Sequence, residues 1–226
     1  MKYFYQKESK EILDELNTTT SGLNSNEVEK RQEKHGLNVL PEAPRPSGFQ
    51  IFLNQFKDLI VLILIAAAVI SGVTGDAESS IVIVVVLIIN AILGTTQTLN
   101  AQRSVDSLKQ LSVPKVKVIR DGVKQEIDSH HVTIGDIVEF EAGDMIVADA
   151  RVIEASSLQV QESALTGESH AVDKNTDVVE GEVVVGDQTN MVFTGSQVTY
   201  GKGQAVVTSI GVNTEIGKIS ELLNNA

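Results

Sequence analysis

The sequence predicts a mixed chain in three parts. Residues 1–48 read as a helical segment, 49–113 as a two-helix transmembrane hairpin with a stalk, and 114–226 as a compact all-β domain closed by a C-terminal helix. Three observations predict this. Residues 59–70 and 81–94 are uncharged apolar runs separated by a short polar link. Polar residues with helical spacing precede the first run, and after Lys115 the apolar period changes to two.

Composition excludes several functions. With no cysteine there is no disulfide scaffold, thiol nucleophile, zinc–cysteine knuckle or iron–sulfur cluster. A pI near 4.7 argues against a nucleic-acid partner, because neutralising phosphates needs clustered Lys and Arg. The charge is unevenly spread. Residues 2–45 carry 7 basic and 8 acidic groups, whereas 94–226 carry 10 and 19 and hold −9 of the net −12. Between them, residues 48–93 contain only Lys57, Asp58, Asp76 and Glu78 as charges.

In the N-terminal segment, Ile12, Leu13 and Leu16 make one short apolar face. Asn24 or Ser25 is placed to cap a helix through Glu27-Val28-Glu29-Lys30-Arg31, with Gly36 at its C-terminal end. Pro41, Pro44 and Pro46 then read as an extended linker.

The run LIVLILIAAAVI at 59–70 continues through Ser71-Gly72-Val73-Thr74. With the lead-in Phe49-Gln50-Ile51-Phe52-Leu53 the helix passes the roughly 20 residues that span a bilayer. The second run, IVIVVVLIINAILG at 81–94, follows the link Gly75-Asp76-Ala77-Glu78 too closely for two independent core helices. A secretory signal is a poor account, since about fifty mostly polar residues come first. Lys57 flanks one side of the hairpin and Arg103, Lys109, Lys115 and Lys117 the other, while the link has no Lys or Arg. The positive-inside rule puts both termini in the cytoplasm. Asn90 is expected to make an interhelical hydrogen bond rather than to line an ion path. Leu99, Val105, Leu108 and Leu111 extend the second helix as a stalk until Pro114.

In the β region, Val116, Val118 and Ile119 lead into Asp121-Gly122, a hairpin signal, and then into Val123, Gln125 and Ile127. Further strands are expected at 137–140, 150–153, 158–160, 191–193, 197–199 and 205–208, with Tyr200-Gly201-Lys202-Gly203 as the turn joining the last two. Thr214 is placed to cap a helix over 215–223.

One run carries the chemistry: Gln161-Glu162-Ser163-Ala164-Leu165-Thr166-Gly167-Glu168-Ser169. Thr-Gly-Glu-Ser after a strand is a tight loop with Glu168 at its tip. Such a carboxylate can orient or deprotonate a water, worth roughly 10²–10⁴ in rate, although acidic turn residues are more often simply solvated.

Leu165-Thr166-Gly167-Glu168-Ser169 resembles the loop that marks the actuator domain of P-type cation-transporting ATPases, and other motifs resemble that domain in the same order. These are Gly135-Asp136-Ile137-Val138, Gly143-Asp144-Met145-Ile146-Val147-Ala148-Asp149, Asn190-Met191-Val192-Phe193-Thr194-Gly195-Ser196 and Thr214-Glu215-Ile216-Gly217-Lys218-Ile219. Upstream, Gly22-Leu23 through Arg31 and Gly36-Leu37-Asn38-Val39-Leu40 resemble the family's N-terminal segment. Asn90-Ala91-Ile92-Leu93-Gly94 onward is similar to its second membrane helix and stalk. Departures are Gln161 for the usual Asp, Val147 for Pro and Ser196 for Thr.

The resemblance implies a distorted jelly-roll-like actuator and a phosphoenzyme cycle. ATP phosphorylates an aspartate in a separate domain, and the actuator loop then directs water to the phosphorus. On this sequence Glu168 is that carboxylate, Thr166 and Gly167 hold it, and Ser169 supports the turn. The branch it resembles most is the type II calcium pumps, with a sodium, potassium or proton pump as the alternative. A non-catalytic, membrane-anchored β interaction module is the alternative outside the family. The family's phosphorylated Asp-Lys-Thr-Gly-Thr is absent. Asp173-Lys174-Asn175-Thr176-Asp177 reads as a surface turn, and Gly201-Lys202-Gly203 as a hairpin turn rather than a phosphate loop. No cofactor or metal is expected on this chain, with ATP and Mg²⁺ belonging to the intact pump. Expected partners are the lipid bilayer and the pump's phosphorylation, nucleotide and remaining membrane segments, in a bacterial plasma membrane. Ending just after a helix, the chain reads as cut at a domain edge. His35 and His130-His131 read as solvated at a helix end and a strand edge, His170 as a bystander, and Asp144 and Asp149 as turn caps rather than a cation pair.

Overall fold

The computed structural model describes residues 3–40, 46–111 and 113–224, and the side chains of 108–111 and 224 lie outside that description. Pro41, Pro44 and the side chains of Leu108, Lys109 and Leu111 therefore fall outside the described residues. Helices α1 (Ser9–Glu15), α2 (Ser25–His35), α3 (Gly48–Gln55), α4 (Leu59–Val73) and α5 (Ala77–Leu111) come first. Strands β1 (Lys115–Arg120), β2 (Val123–Asp128), β3 (Ile137–Glu141) and β4 (Asp149–Gln161) follow, then α6 (Ser163–Thr166), β5 (Ala171–Asp173), β6 (Met191–Val192), β7 (Gln197–Ser209) and α7 (Glu215–Asn224). They form two compact units, Met1–Glu42 with Val113–Ala226, and Ala43–Ser112.

The first unit is built on an antiparallel sheet of order β2-β1-β3-β7-β4-β5, with β6 paired to β4. Asp121 and Gly122 both take positive φ (51° and 71°), the requirement of the tight hairpin their sequence announces. Alternation along the strands sends Val118, Val138, Phe140, Val152, Val160 and Val207 to one core. Ile137 and Val206 point to the other face. There Ile12 covers them, flanked by Leu13, Leu16 and Phe4, so the short apolar face of α1 is one wall of a second core. The Asn24 side chain caps α2 by accepting from the Glu27 amide at 2.9 Å, and Gly36 ends it at φ 78°. Arg31 on α2 then donates to the Leu16 and Ile134 carbonyls at 2.8 and 2.9 Å. This fastens the helical segment to the loop before β3. Asn38 does the same further on, donating to Ser129 and Val147 carbonyls and accepting from the Gly211 amide.

Two strand expectations are corrected. The segments at 150–153 and 158–160 are one strand, β4, and those at 197–199 and 205–208 are one strand, β7. These 13-residue strands pair along their length through several bulges. Gly201-Lys202-Gly203 is no turn: it sits mid-strand where β7 crosses the bulge at Ser156–Gln159. Glycine is required there for close approach, since a Cβ on Gly201 would stand 2.2 Å from the Ser157 carbonyl oxygen, at φ 74°. The Gly201→Ala variant is accordingly expected to lose about 2 kcal/mol or more, seen as a lower denaturation midpoint. An unchanged midpoint would remove the close-approach argument. His130 and His131 lie in a 3₁₀ turn, Ser129–His131, rather than on a strand edge.

In the second unit, the expected single helix through Phe49 and Ile70 is broken. The Ser47 side chain caps α3 and Asp58 caps α4, its carboxylate accepting from the Ile60 amide at 2.9 Å, and the two helices bend by 65°. A carboxylate capping the first turn of α4 competes with continuing the helix through Asp58. The 15-residue α4 alone is about 22 Å long, short of the ~30 Å hydrocarbon layer. By contrast α5 runs unbroken for 35 residues, as the stalk pattern predicts, and is long and apolar enough to cross a membrane. Ser80 on α5 donates to the Ala68 carbonyl of α4 at 2.8 Å. The Asn90 side chain, exposed on α5 beside Leu93, makes no interhelical hydrogen bond among the described residues. Ser80, near the link, makes that contact instead.

Candidate functional site

The loop that follows β4 connects it to β5, with Gln161 paired to Ala171 across its base. Its first half winds into the single turn α6, in which the Leu165 and Thr166 amides both donate to the Glu162 carbonyl. Gly167 ends that turn in the left-handed region at φ 76°, where a side chain would be strained. The chain then reverses and presents Glu168, Ser169 and His170 to solvent.

Thr166 joins the two halves. Its hydroxyl donates to the Glu162 carbonyl at 3.1 Å and accepts from the Glu168 amide at 3.2 Å. The backbone of Glu168 is thereby referred to the base of the loop, while its carboxylate has no ion pair or hydrogen bond among the described residues. Beside it lies a cavity of about 320 Å³ bounded by Leu165, Thr166, Glu168, Val172 and the turn Val185–Asp187. That turn approaches closely, with Gly186 leaving 3.3 Å between a Cβ position and the Thr166 methyl.

Beneath the loop is a polar layer that the residue pattern did not announce. Glu162 and Lys174 form an ion pair at 2.7 Å with both side chains fully buried. This corrects the surface-turn reading of Asp173-Lys174-Asn175-Thr176-Asp177: Asp173 closes β5 and Lys174 turns inward. Burial pushes the Glu162 carboxyl up and the Lys174 ammonium down, each opposed by its partner's charge. Arg151, also fully buried, donates to the carbonyls of Val152, Lys7 and Thr176. Asn190 donates to the carbonyls of Tyr5 and Asp177. Tyr5 packs with Met191 and Phe193, against which Leu165, Val179 and Val185 also lie. The first residues of the chain thus brace the segment that walls the Glu168 cavity. The apolar spacing of Ile12, Leu13 and Leu16 pointed to a helix face, but nothing local pointed to Tyr5 or Arg151.

Asp149 holds the far end of the sheet to α7. One carboxylate oxygen accepts from Thr194 amide and hydroxyl, the other from the Glu215 amide at 2.7 Å, and Thr214 completes the cap by accepting from the Gly217 amide. Asp144 accepts from the Glu141 amide, so both aspartates serve backbone groups. Among the described residues no cluster of three or more His, Asp or Glu side chains is placed to hold a metal ion. The amides around Lys202 belong to the β4–β7 ladder and offer no phosphate cradle.

Residues 110–224 match the family model of the P-type ATPase actuator domain, and residues 4–71 match that of the cation transporter/ATPase N-terminus. The chain belongs to the P-type ATPase family. It is 45% identical to a calcium-transporting ATPase of Listeria monocytogenes over 98% of this chain and 25% of that protein. It is 43% identical to a calcium-transporting ATPase of Bacillus subtilis over 99% of this chain and 25% of that protein. With the calcium-transporting ATPase of Plasmodium falciparum the identity is 40% over 88% of this chain and 18% of that protein. This P-type ATPase chain therefore spans about a quarter of the length of its bacterial relatives, and the N-terminal match runs from the first compact unit into the second.

Proposed function

We propose that this chain is the N-terminal and actuator part of a type II, calcium-pumping P-type ATPase, and that Glu168 promotes hydrolysis of the pump's aspartyl-phosphate. The observation that carries the reading is the state of Glu168: exposed at a loop apex, its amide tied to Thr166, its carboxylate free of any salt bridge among the described residues. Relatives named as calcium transporters support the choice of cation.

In this reading the loop meets a phosphorylated domain supplied from outside residues 1–226. Glu168 accepts a proton from a water as the water oxygen bonds to phosphorus and the aspartyl oxygen leaves as carboxylate. Thr166 and Gly167 set where the carboxylate stands, and Ser169 supports the return of the chain. ATP and Mg²⁺ would be held by the same outside domains. The exposed apolar surfaces of α4 and α5 support a site in lipid, and the flanking Lys and Arg support a topology with both termini on the cytoplasmic side of a bacterial plasma membrane. The α3–α4 break then makes the first crossing a bent one.

The experiment is phosphorylation of the full-length protein in membrane vesicles with labelled ATP. An acid-stable, hydroxylamine-sensitive phosphoprotein that requires Ca²⁺, with Ca²⁺ uptake, is the expected result. Formation driven by Na⁺, or repressed by K⁺, with no response to Ca²⁺ would remove the calcium assignment.

A further inference from the structure

We infer that the buried Glu162–Lys174 pair is a positioning device that sets the height and orientation of the Thr166-Gly167-Glu168 apex. The inference rests on the role proposed above for Glu168.

The geometry is specific. Glu162 is the residue immediately before α6, and its backbone carbonyl carries the Leu165 and Thr166 amides and the Thr166 hydroxyl. Three of the contacts that shape the loop therefore converge on one residue. Its carboxylate is buried, and the Lys174 ammonium at 2.7 Å is the one polar partner it has among the described residues. Lys174 is held in turn from three directions. Its amide donates to the Leu158 carbonyl, its ammonium donates to the Gln188 carbonyl at 3.3 Å, and it stands 5.7 Å from the Phe193 ring centre. Gln188 follows the turn Val185–Asp187, the other wall of the Glu168 cavity. One ammonium thus joins both walls, and a path of direct contacts runs from Lys174 through Glu162 and Thr166 to the Glu168 amide.

The physics of a buried pair makes the device separable from ordinary packing. Removing one partner strands a charge at a fully buried position, and that residue must move out or change protonation. Stranding Glu162 would drag the start of α6 with it. Removing both charges leaves nothing to strand, and neutral replacement of a whole buried pair is often tolerated. A purely steric role would make the double change worse than either single one.

The test uses Lys174→Met, Glu162→Gln and the double change, with two readouts. In this chain, amide hydrogen exchange over residues 163–170 is expected to quicken at least about tenfold in Lys174→Met and to return to within about threefold of the parent in the double variant. Exchange in β3 and β7 serves as the folding control. In the full-length protein, phosphoenzyme decay is expected to slow at least about tenfold in Lys174→Met with formation kept, and to recover in the double variant. Unchanged exchange over 163–170 in Lys174→Met, or a double variant worse than both single ones, would overturn the inference. Glu168→Gln run alongside separates the two proposals. If it decays normally the reading of function fails, while the exchange data still decide whether the pair sets the loop.

Discussion

Phosphoenzyme formed by the Glu168→Gln variant of the full-length protein is expected to decay roughly 10²–10⁴ times more slowly than that of the parent, the usual range for losing a positioned general base. Formation should be little affected. Gln keeps the size and the hydrogen-bonding oxygen of the side chain, and among the described residues the one hydrogen bond by which Glu168 holds its own loop is from its backbone amide to Thr166. The variant therefore removes basicity without removing structure, and the loss falls on the step in which water gives up a proton. Decay within about threefold of the parent would take Glu168 out of the mechanism.

The largest stability effect is expected at Arg151. Its side chain is fully buried on β4 and donates to the carbonyls of Val152, Thr176 and Lys7, with Asn190 at 3.5 Å. Burial lowers its pKa to about 10, which still leaves it charged at neutral pH. Arg151→Ala would open a cavity and leave those carbonyls without their donor, and it should lower stability by roughly 3–5 kcal/mol. Because the acceptors lie on the N-terminal segment, β4 and the 176–190 region, the same change should loosen residues 3–7 first. Chemical denaturation of the chain, followed by protease sensitivity near Lys7, checks both parts. A loss below about 1 kcal/mol would mean that the carbonyls find water instead.

Local signals read well where one short-range rule decides the outcome. Asp121-Gly122 can only reverse a hairpin, Asn24 and Thr214 cap because their side chains meet the next turn's amides, and α5 continues from its apolar run through the polar stalk pattern with no proline before Pro114. The exposed tip at Glu168 follows from Gly167 in the same way. Where long-range pairing decides, the pattern misled. Gly201-Lys202-Gly203 looks like a turn because glycine permits one, but the bulge opposite at Ser157 uses the missing Cβ for close approach instead. Lys174 reads as surface by charge, and only its meeting with Glu162, twelve residues earlier, makes burial tolerable. The α3–α4 break shows a smaller contest, in which the capping carboxylate at Asp58 outweighs continuation from the amphipathic lead-in into the apolar run at 59–70.

The most direct test of the account is whether the loop apex meets a phosphorylated partner. Amide exchange over residues 163–170 of the full-length protein should be compared between the resting enzyme and phosphoenzyme trapped with Glu168→Gln. The account predicts marked protection of Thr166, Gly167 and Glu168 in the phosphorylated state, with β3 and β7 unchanged. Equal exchange in the two states would contradict it.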